Sequence, residues 1–494
     1  MHNSGSGVEP TPSSGGIISR TNDRSFTPPR TLVLCFDGTG DQFDADNTNI
    51  VRLCSTLEKG DRDQQMVYYQ SGVGTLNTPQ IVTPIRAAFQ KYVNMAIANH
   101  LDAHIMGTNV ILTLSLDRAG DKICIFGFSR GAYTARALAG MIHKVGLLPA
   151  GNSQQVPFAY RMYTHDNKDG WKQSKQFKEA FSMDVGVEFL GVWDTVCSVG
   201  LIPRELPFTA SNTAVRFFRH ALALDERRAT FRMNHWHRRC KDDHDDEVRP
   251  KTDVREVWFA GCHADVGGGS VPNGTENSLA RISLRWMILE CFRTGTGIRF
   301  REDALRRTGM DKNALTSLSG GQFIAERARP QRLATDVTVF STSSPQSSAF
   351  PAGKESDWLR QDFTKDTDIE RGTVGSKENV SELPTMSKEM AATEGSSAFM
   401  TEQELKDALS PIYDQLKICK IWWLPEVIPL RHRVRGLEDL RALRGHHWSV
   451  NFGRPRKIMK PNREGEKILV HRSVKLRMNA EKAKFDPEEI EWVD

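Results

Sequence analysis

Residues 121–148, DKICIFGFSRGAYTARALAGMIHKVGLL, decide the fold. Ile123 to Phe128 is a short apolar run rich in β-formers, Gly127-Phe128-Ser129-Arg130-Gly131 supplies a turn, and Ala132 to Leu148 repeats its apolar residues at helical spacing. Strand, sharp turn and helix in that order are the setting of a nucleophile elbow. Its flanking glycines let strand and helix crowd together while the turn lifts a serine hydroxyl. The same residues also fit a tight βα turn in which Ser129 only caps the helix.

Outward from this segment the pattern repeats. TLVLCFDGTG, from Thr31, reads as a buried strand running into a turn, and Asn47 to Leu57 as a helix with Ile50, Leu53, Cys54 and Leu57 on one face. MVYYQSG (66–72) is a second strand, and residues 85–106 have the spacing of a crossover helix. VEFLGVWDT (187–195) and EVWFAGCHADVGGG (256–269) are two further buried strands that end in polar residues. Strands alternating with helices predict an α/β fold, a doubly wound, mostly parallel sheet of the α/β-hydrolase kind. Its reactive groups are expected beyond the carboxyl ends of the strands.

A nucleophilic serine needs a base and an orienting acid, and hydrolases of this fold supply them in the order Ser, Asp or Glu, His. Asp194 ends FLGVWD and His263 ends VWFAGCH, so Ser129, Asp194 and His263 are the candidate catalytic residues. Asp194 also fits an Asx turn or cap, and His263 a packed histidine satisfied by Asp265, which is in turn a rival orienter. The loop Asp37-Gly38-Thr39-Gly40 offers main-chain N–H groups to a tetrahedral intermediate, so Gly38 or Thr39 with Arg130 would form the oxyanion hole. Such chemistry calls for no cofactor and no metal.

Other readings carry less. A phosphatase of the D-x-D-G-T type would need an aspartate nucleophile where Cys35 stands. Val266 to Gly269 lacks the Lys-Ser/Thr of a P-loop. His235, His237, Cys240 and His244 cluster in a heavily charged stretch without a second ligand pair at zinc-finger spacing, so no metal is expected there.

The 494 residues are 39% hydrophobic and 26% charged, which excludes collagenous, coiled-coil and wholly disordered chains. No apolar run approaches the ~18 to 20 residues of a spanning helix, and the first thirty residues lack an apolar signal core. Eight cysteines are scattered singly, as in a cytosolic protein with reduced thiols. The net charge of +5 is uneven: residues 411–480 hold 16 Lys and Arg against 6 Asp and Glu. The expected organisation is a disordered leader (1–30), a catalytic domain (31–325), a low-complexity linker or insertion (326–400) and a basic C-terminal part (401–494). In that last part IWWLPEVIPL runs into Arg431, His432, Arg433 and Arg435. The segment 418–435 either packs on the hydrolase core as a lid or rests peripherally on an anionic membrane. No nucleic-acid motif accompanies the basic charge.

The four strand-end motifs LVLCFDGTGDQ, IFGFSRGAYTARALAG, FLGVWDTVCSVG and VWFAGCHADVGGG together resemble the α/β-hydrolase domain family that includes the type VI secretion phospholipase effectors of the first group. The similarity spans about residues 31–300, and HRSVKLRM around His471 looks like a further family element. GTNVILTLSLDRAG (107–120) departs from the family by reading as irregular or β where relatives carry a helical stretch. The resemblance implies a Ser129, Asp194, His263 triad and, for the secreted members, phospholipase activity. The expectation is a serine esterase or lipase. The alternative is a catalytically silent hydrolase-fold module that binds a membrane or a protein.

Overall fold

In a computed structural model of the chain, side-chain alternation builds a core on both faces of one sheet. β1 (Thr31–Phe36) sends Leu32, Leu34 and Phe36 to one face and Val33 and Cys35 to the other, and all six residues are buried. β3 (Lys122–Phe128) divides Ile123 and Ile125 from Cys124, Phe126 and Phe128 in the same way. Strands apolar on both sides need cover on both sides, which is the demand of a parallel sheet. The described residues are 29–39, 41–72, 102, 104–108, 120–196, 206–236, 251–310, 315, 402–433, 446–456, 458, 467–481 and 490–494.

Among the described residues the sheet has eight strands in the order β10-β9-β6-β5-β4-β3-β1-β2, and every neighbouring pair is parallel. The other members are β2 (Gln65–Gln70), β4 (Val187–Trp193), β5 (Val215–Ala223), β6 (Asp253–Phe259), β9 (Ile468–His471) and β10 (Ile490–Val493). A separate antiparallel ribbon joins β7 (Leu430–Arg433) to β8 (His446–Ser449). The chain leaves β1 for β2 on one side and β3 on the other, so the strand order reverses between β1 and β3. That is where ligands of open α/β sheets bind.

Helix α1 (Asn49–Thr56) starts at the Thr48 cap, whose side chain accepts the Val51 N–H, and buries Ile50, Leu53 and Cys54. The elbow helix α2 (Ser129–Val145) is buried along nearly its whole length.

Three differences from the sequence reading matter. The strand expected over 256–269 stops at Phe259, and His263–Gly267 is a short helix, α3, because Asp265 accepts the Cys262 N–H and turns the chain. β5 was not anticipated: Arg219 and His220 interrupt its apolar run, yet both are buried, Arg219 on Glu290 and His220 on Glu256. The C-terminal part adds β9 and β10 to the sheet beside β6. Residues 1–28 of the leader, the 326–400 segment, residues 85–101 and residues 109–119 lie outside the described residues.

Candidate active site

The elbow is built by close approach. A Cβ on Gly127 would lie 2.6 Å from Ala132 Cα, and one on Gly131 would lie 2.3 Å from the Asp37 carbonyl oxygen and 2.5 Å from that of Phe36. Only glycine lets the start of α2 press on β3 and on the end of β1 at once. Between them Ser129 takes φ +59°, a left-handed conformation rare for serine and a feature of strained, functional turns.

Ser129 Oγ lies 2.8 Å from His263 Nε2, and His263 Nδ1 lies 2.5 Å from Asp194 Oδ2. The three residues stand at the carboxyl ends of β3, β4 and β6. With Nδ1–H donating to the carboxylate, Nε2 is left as an acceptor facing the serine hydroxyl. Phe128 lies 4.7 Å from the imidazole, ring centre to ring centre, and Phe231 meets it edge-on at 4.8 Å. Burial pushes the His263 pKa down; the Asp194 hydrogen bond and charge pull the other way and do not fully offset it, so the ring is neutral at pH 7.

Asp194 is completely buried and sits at φ +38°. Burial opposes its ionisation, but the Arg456 guanidinium and the His263 hydrogen bond outweigh burial and hold the carboxyl well below the usual range. Arg456 grips both oxygens, Nη1 to Oδ1 at 2.6 Å and Nη2 to Oδ2 at 2.9 Å, and the Ala223 N–H reaches Oδ1 at 3.1 Å. His220 supports the next residue: its Nε2 accepts the Thr195 N–H while its Nδ1 meets Glu256 at 2.8 Å. Glu226 accepts the His263 N–H and is itself paired with Arg228.

The remaining expected residues fall into two groups. Arg130 N–H belongs to the first turn of α2, which has no intrahelical acceptor. Thr39 Oγ1 is buried and has no hydrogen-bond partner among the described residues. Burial pushes the Arg130 guanidinium down to about 10. Gly38, by contrast, donates its N–H to Asp37 Oδ1, so that group is committed to the loop.

Asp37 itself accepts from Gly38, Thr48 Oγ1 and Tyr69 OH and braces the β1 loop. Asp265 does not orient His263. Its carboxylate accepts the N–H groups of Cys262 and Tyr413. His471 stacks on Phe259 at 4.8 Å and meets Ser473 Oγ at 2.9 Å, with no described contact to Ser129, Asp194 or His263. His235 lies 3.3 Å from Glu256, and the rest of its cluster lies outside the described residues. Sequence reasoning missed Arg456, Ala223 and Glu226. Nothing in GRPRK marks Arg456 as a partner of a residue 262 positions away.

Known proteins resemble parts of this chain. Residues 30–290 match the family described as type VI secretion system (T6SS) phospholipase effector Tle1-like, catalytic domain. The uncharacterized protein YEL023C of Saccharomyces cerevisiae is 37% identical over 233 residues, which cover 43% of this chain and 34% of that protein. An uncharacterized protein from Pseudomonas aeruginosa, known from a crystal structure, is 18% identical with a TM-score of 0.35, covering 60% of this chain and 49% of that one. The Tle1 effector bound to the VgrG spike of the type 6 secretion system is 20% identical with a TM-score of 0.29, covering 52% and 57%. The chain thus spans about a third of the curated relative and about half of each solved chain.

Proposed function

The chain belongs to the phospholipase effector Tle1-like catalytic-domain family, and on that premise we propose that it is a serine hydrolase cleaving carboxylic esters of acyl lipids, phospholipids among them. The observation that carries this reading is the hydrogen-bonded series Ser129, His263, Asp194 at the carboxyl ends of β3, β6 and β4. His263 takes the Ser129 proton as Oγ attacks the ester carbonyl, and Asp194 stabilises the imidazolium that forms. The oxyanion is received by the Arg130 N–H and by Thr39, whose hydroxyl has no other partner among the described residues. Collapse breaks the C–O bond, His263 gives its proton to the leaving alcohol, and an acyl-enzyme remains on Ser129. Water then enters by the same base catalysis. Gly38 serves to turn the loop.

Lipid as substrate also suits the C-terminal part. Ile418, Leu424, Val427, Ile428, Trp448 and Phe452 are all more than half exposed, beside exposed Lys417 and Lys420. An apolar patch of that kind fringed by cations fits the surface of an anionic bilayer. Among the described residues no helix is long and apolar enough to cross a membrane.

The test is hydrolysis of short-chain esters and of phospholipid vesicles by the full chain and by Ser129→Ala. Fatty-acid release that disappears in the variant supports the reading. Equal release by both proteins ends it.

A further inference from the structure

A buried carboxylate that orients a base has two oxygens, and only one can face the imidazole. At Asp194, Oδ2 receives His263 Nδ1, while the planar fork of Arg456 closes on Oδ1 and Oδ2 together. Arg456 is itself held: Nη1 also donates to the Ala223 carbonyl at 3.0 Å and Nη2 to the Phe231 carbonyl at 2.5 Å. Its side chain is 7% exposed and that of Asp194 is 0% exposed, so this is a desolvated, bidentate pair rather than a surface ion pair.

The pair joins a strand end of the 31–325 segment to residue 456 of the C-terminal part. The approach is fixed by Asn451 and Gly453, whose side-chain and main-chain N–H groups both donate to Glu426 Oε2.

We propose that Arg456 is a positioning residue of the hydrolase site, supplied by the C-terminal part, which locks the Asp194 carboxylate toward His263 and compensates part of its charge. This inference rests on the hydrolase reading above. Two consequences follow. The fork removes the rotation of Asp194 about its side-chain bonds, so the base keeps the tautomer with Nε2 free. The cation also opposes protonation of His263, keeping it a free base to lower pH than Asp194 alone would allow. The charged groups facing His263 are Asp194, Glu226, Arg228 and, on its own helix, Asp265, with Arg456 behind Asp194. Removing Arg456 leaves the others in place, and the Ala223 N–H still donates to the ionised Asp194.

The test compares the full-length chain with Arg456→Gln and Arg456→Lys. Protonation of His263 is read by NMR of histidine labelled at the ring carbon, with the resonance assigned by its loss in His263→Gln. The pH profile of kcat/KM is read on a soluble ester. In Arg456→Gln the His263 midpoint should rise by about one pH unit, with the acid limb of kcat/KM moving alongside it. Arg456→Lys keeps the charge, so its midpoint should stay with the wild type. Its plateau kcat should fall roughly 10-fold because one ammonium cannot hold both oxygens.

An unmoved midpoint in a folded Arg456→Gln overturns the proposal, even if kcat falls. If that variant does not fold, wild-type kcat or a shifted midpoint in Arg456→Lys overturns it. A wild type that cleaves no ester counts against the hydrolase reading, while the NMR midpoints still decide the role of Arg456.

Discussion

Glu426 Oε1 accepts the main-chain N–H of Ala229 at 2.5 Å, tying the C-terminal part to the loop that follows β5. The carboxylate is fully buried, and its second oxygen takes Asn451 Nδ2 at 2.7 Å and the Gly453 N–H at 2.9 Å. Glu426→Ala would strand two buried donors, the Ala229 and Gly453 N–H groups, at roughly 1 to 3 kcal/mol each before relaxation, while Asn451 Nδ2 keeps the Arg227 carbonyl. The expected outcome is a loss of several kcal/mol in denaturant unfolding together with a marked fall in turnover, since Arg456 lies just beyond Gly453. Unfolding at the wild-type midpoint would contradict it.

Gly131 faces carbonyl oxygens that cannot withdraw. Gly131→Ala brings a methyl to within 2.3 Å of the Asp37 oxygen, so about 1 to 3 kcal/mol of overpacking is expected. The displaced β1 loop carries Thr39, so the variant should also lose turnover while remaining folded. A fully active variant of unchanged Tm would show that the helix start is not pressed on β1.

Stability should fall on acidification. Burial pushes the folded pKa of His220, His263 and His471 down, that of His471 to about 3. Because the unfolded chain then protonates first, each contribution is intact above pH ~6.5 and lost below it, by up to about 1.4 kcal/mol per pH unit. Asp194, Glu226 and Glu256 are held below the usual carboxylate range despite burial, by their Arg or His partners, and add a loss below pH ~4. Burial raises Asp37 and Asp265, which work in the opposite sense and offset part of the loss. Urea unfolding between about pH 7.5 and 5 should show the decline. A flat profile would contradict it.

Leu424 and Ile428 are both more than half exposed on the apolar patch of the C-terminal part. Leu424→Asp with Ile428→Asp should lower retention on anionic vesicles at least about tenfold, because each change removes exposed apolar area that the bilayer would cover and adds a repelled charge. Turnover of a soluble ester should be unchanged. Undiminished vesicle binding would remove the patch as the membrane contact.

The parts of this molecule that were legible in the sequence are those whose cause is local. Gly127 to Gly131 announces the elbow because strand, glycine and helix signals fall in one stretch, and Asp194 and His263 were found because each ends an apolar run. β5 was not legible, since Arg219 and His220 look like surface residues until Glu290 and Glu256 are brought beside them. The limits of Gly38 were equally hidden: its N–H is taken by the neighbouring Asp37 carboxylate, a matter of loop geometry rather than residue type. Arg456 depends on contacts with Asp194, Ala223 and Phe231, all more than two hundred residues away, and no spacing rule reaches that far.

The proposed hydrolysis requires Ser129 to be an activated nucleophile. Labelling the purified, folded chain with a fluorophosphonate, with mass spectrometry of the modified peptide, tests that directly. The prediction is one adduct, on Ser129, that is absent in Ser129→Ala and strongly reduced in His263→Gln. A folded protein that takes up no label, or takes it up elsewhere, would contradict the account.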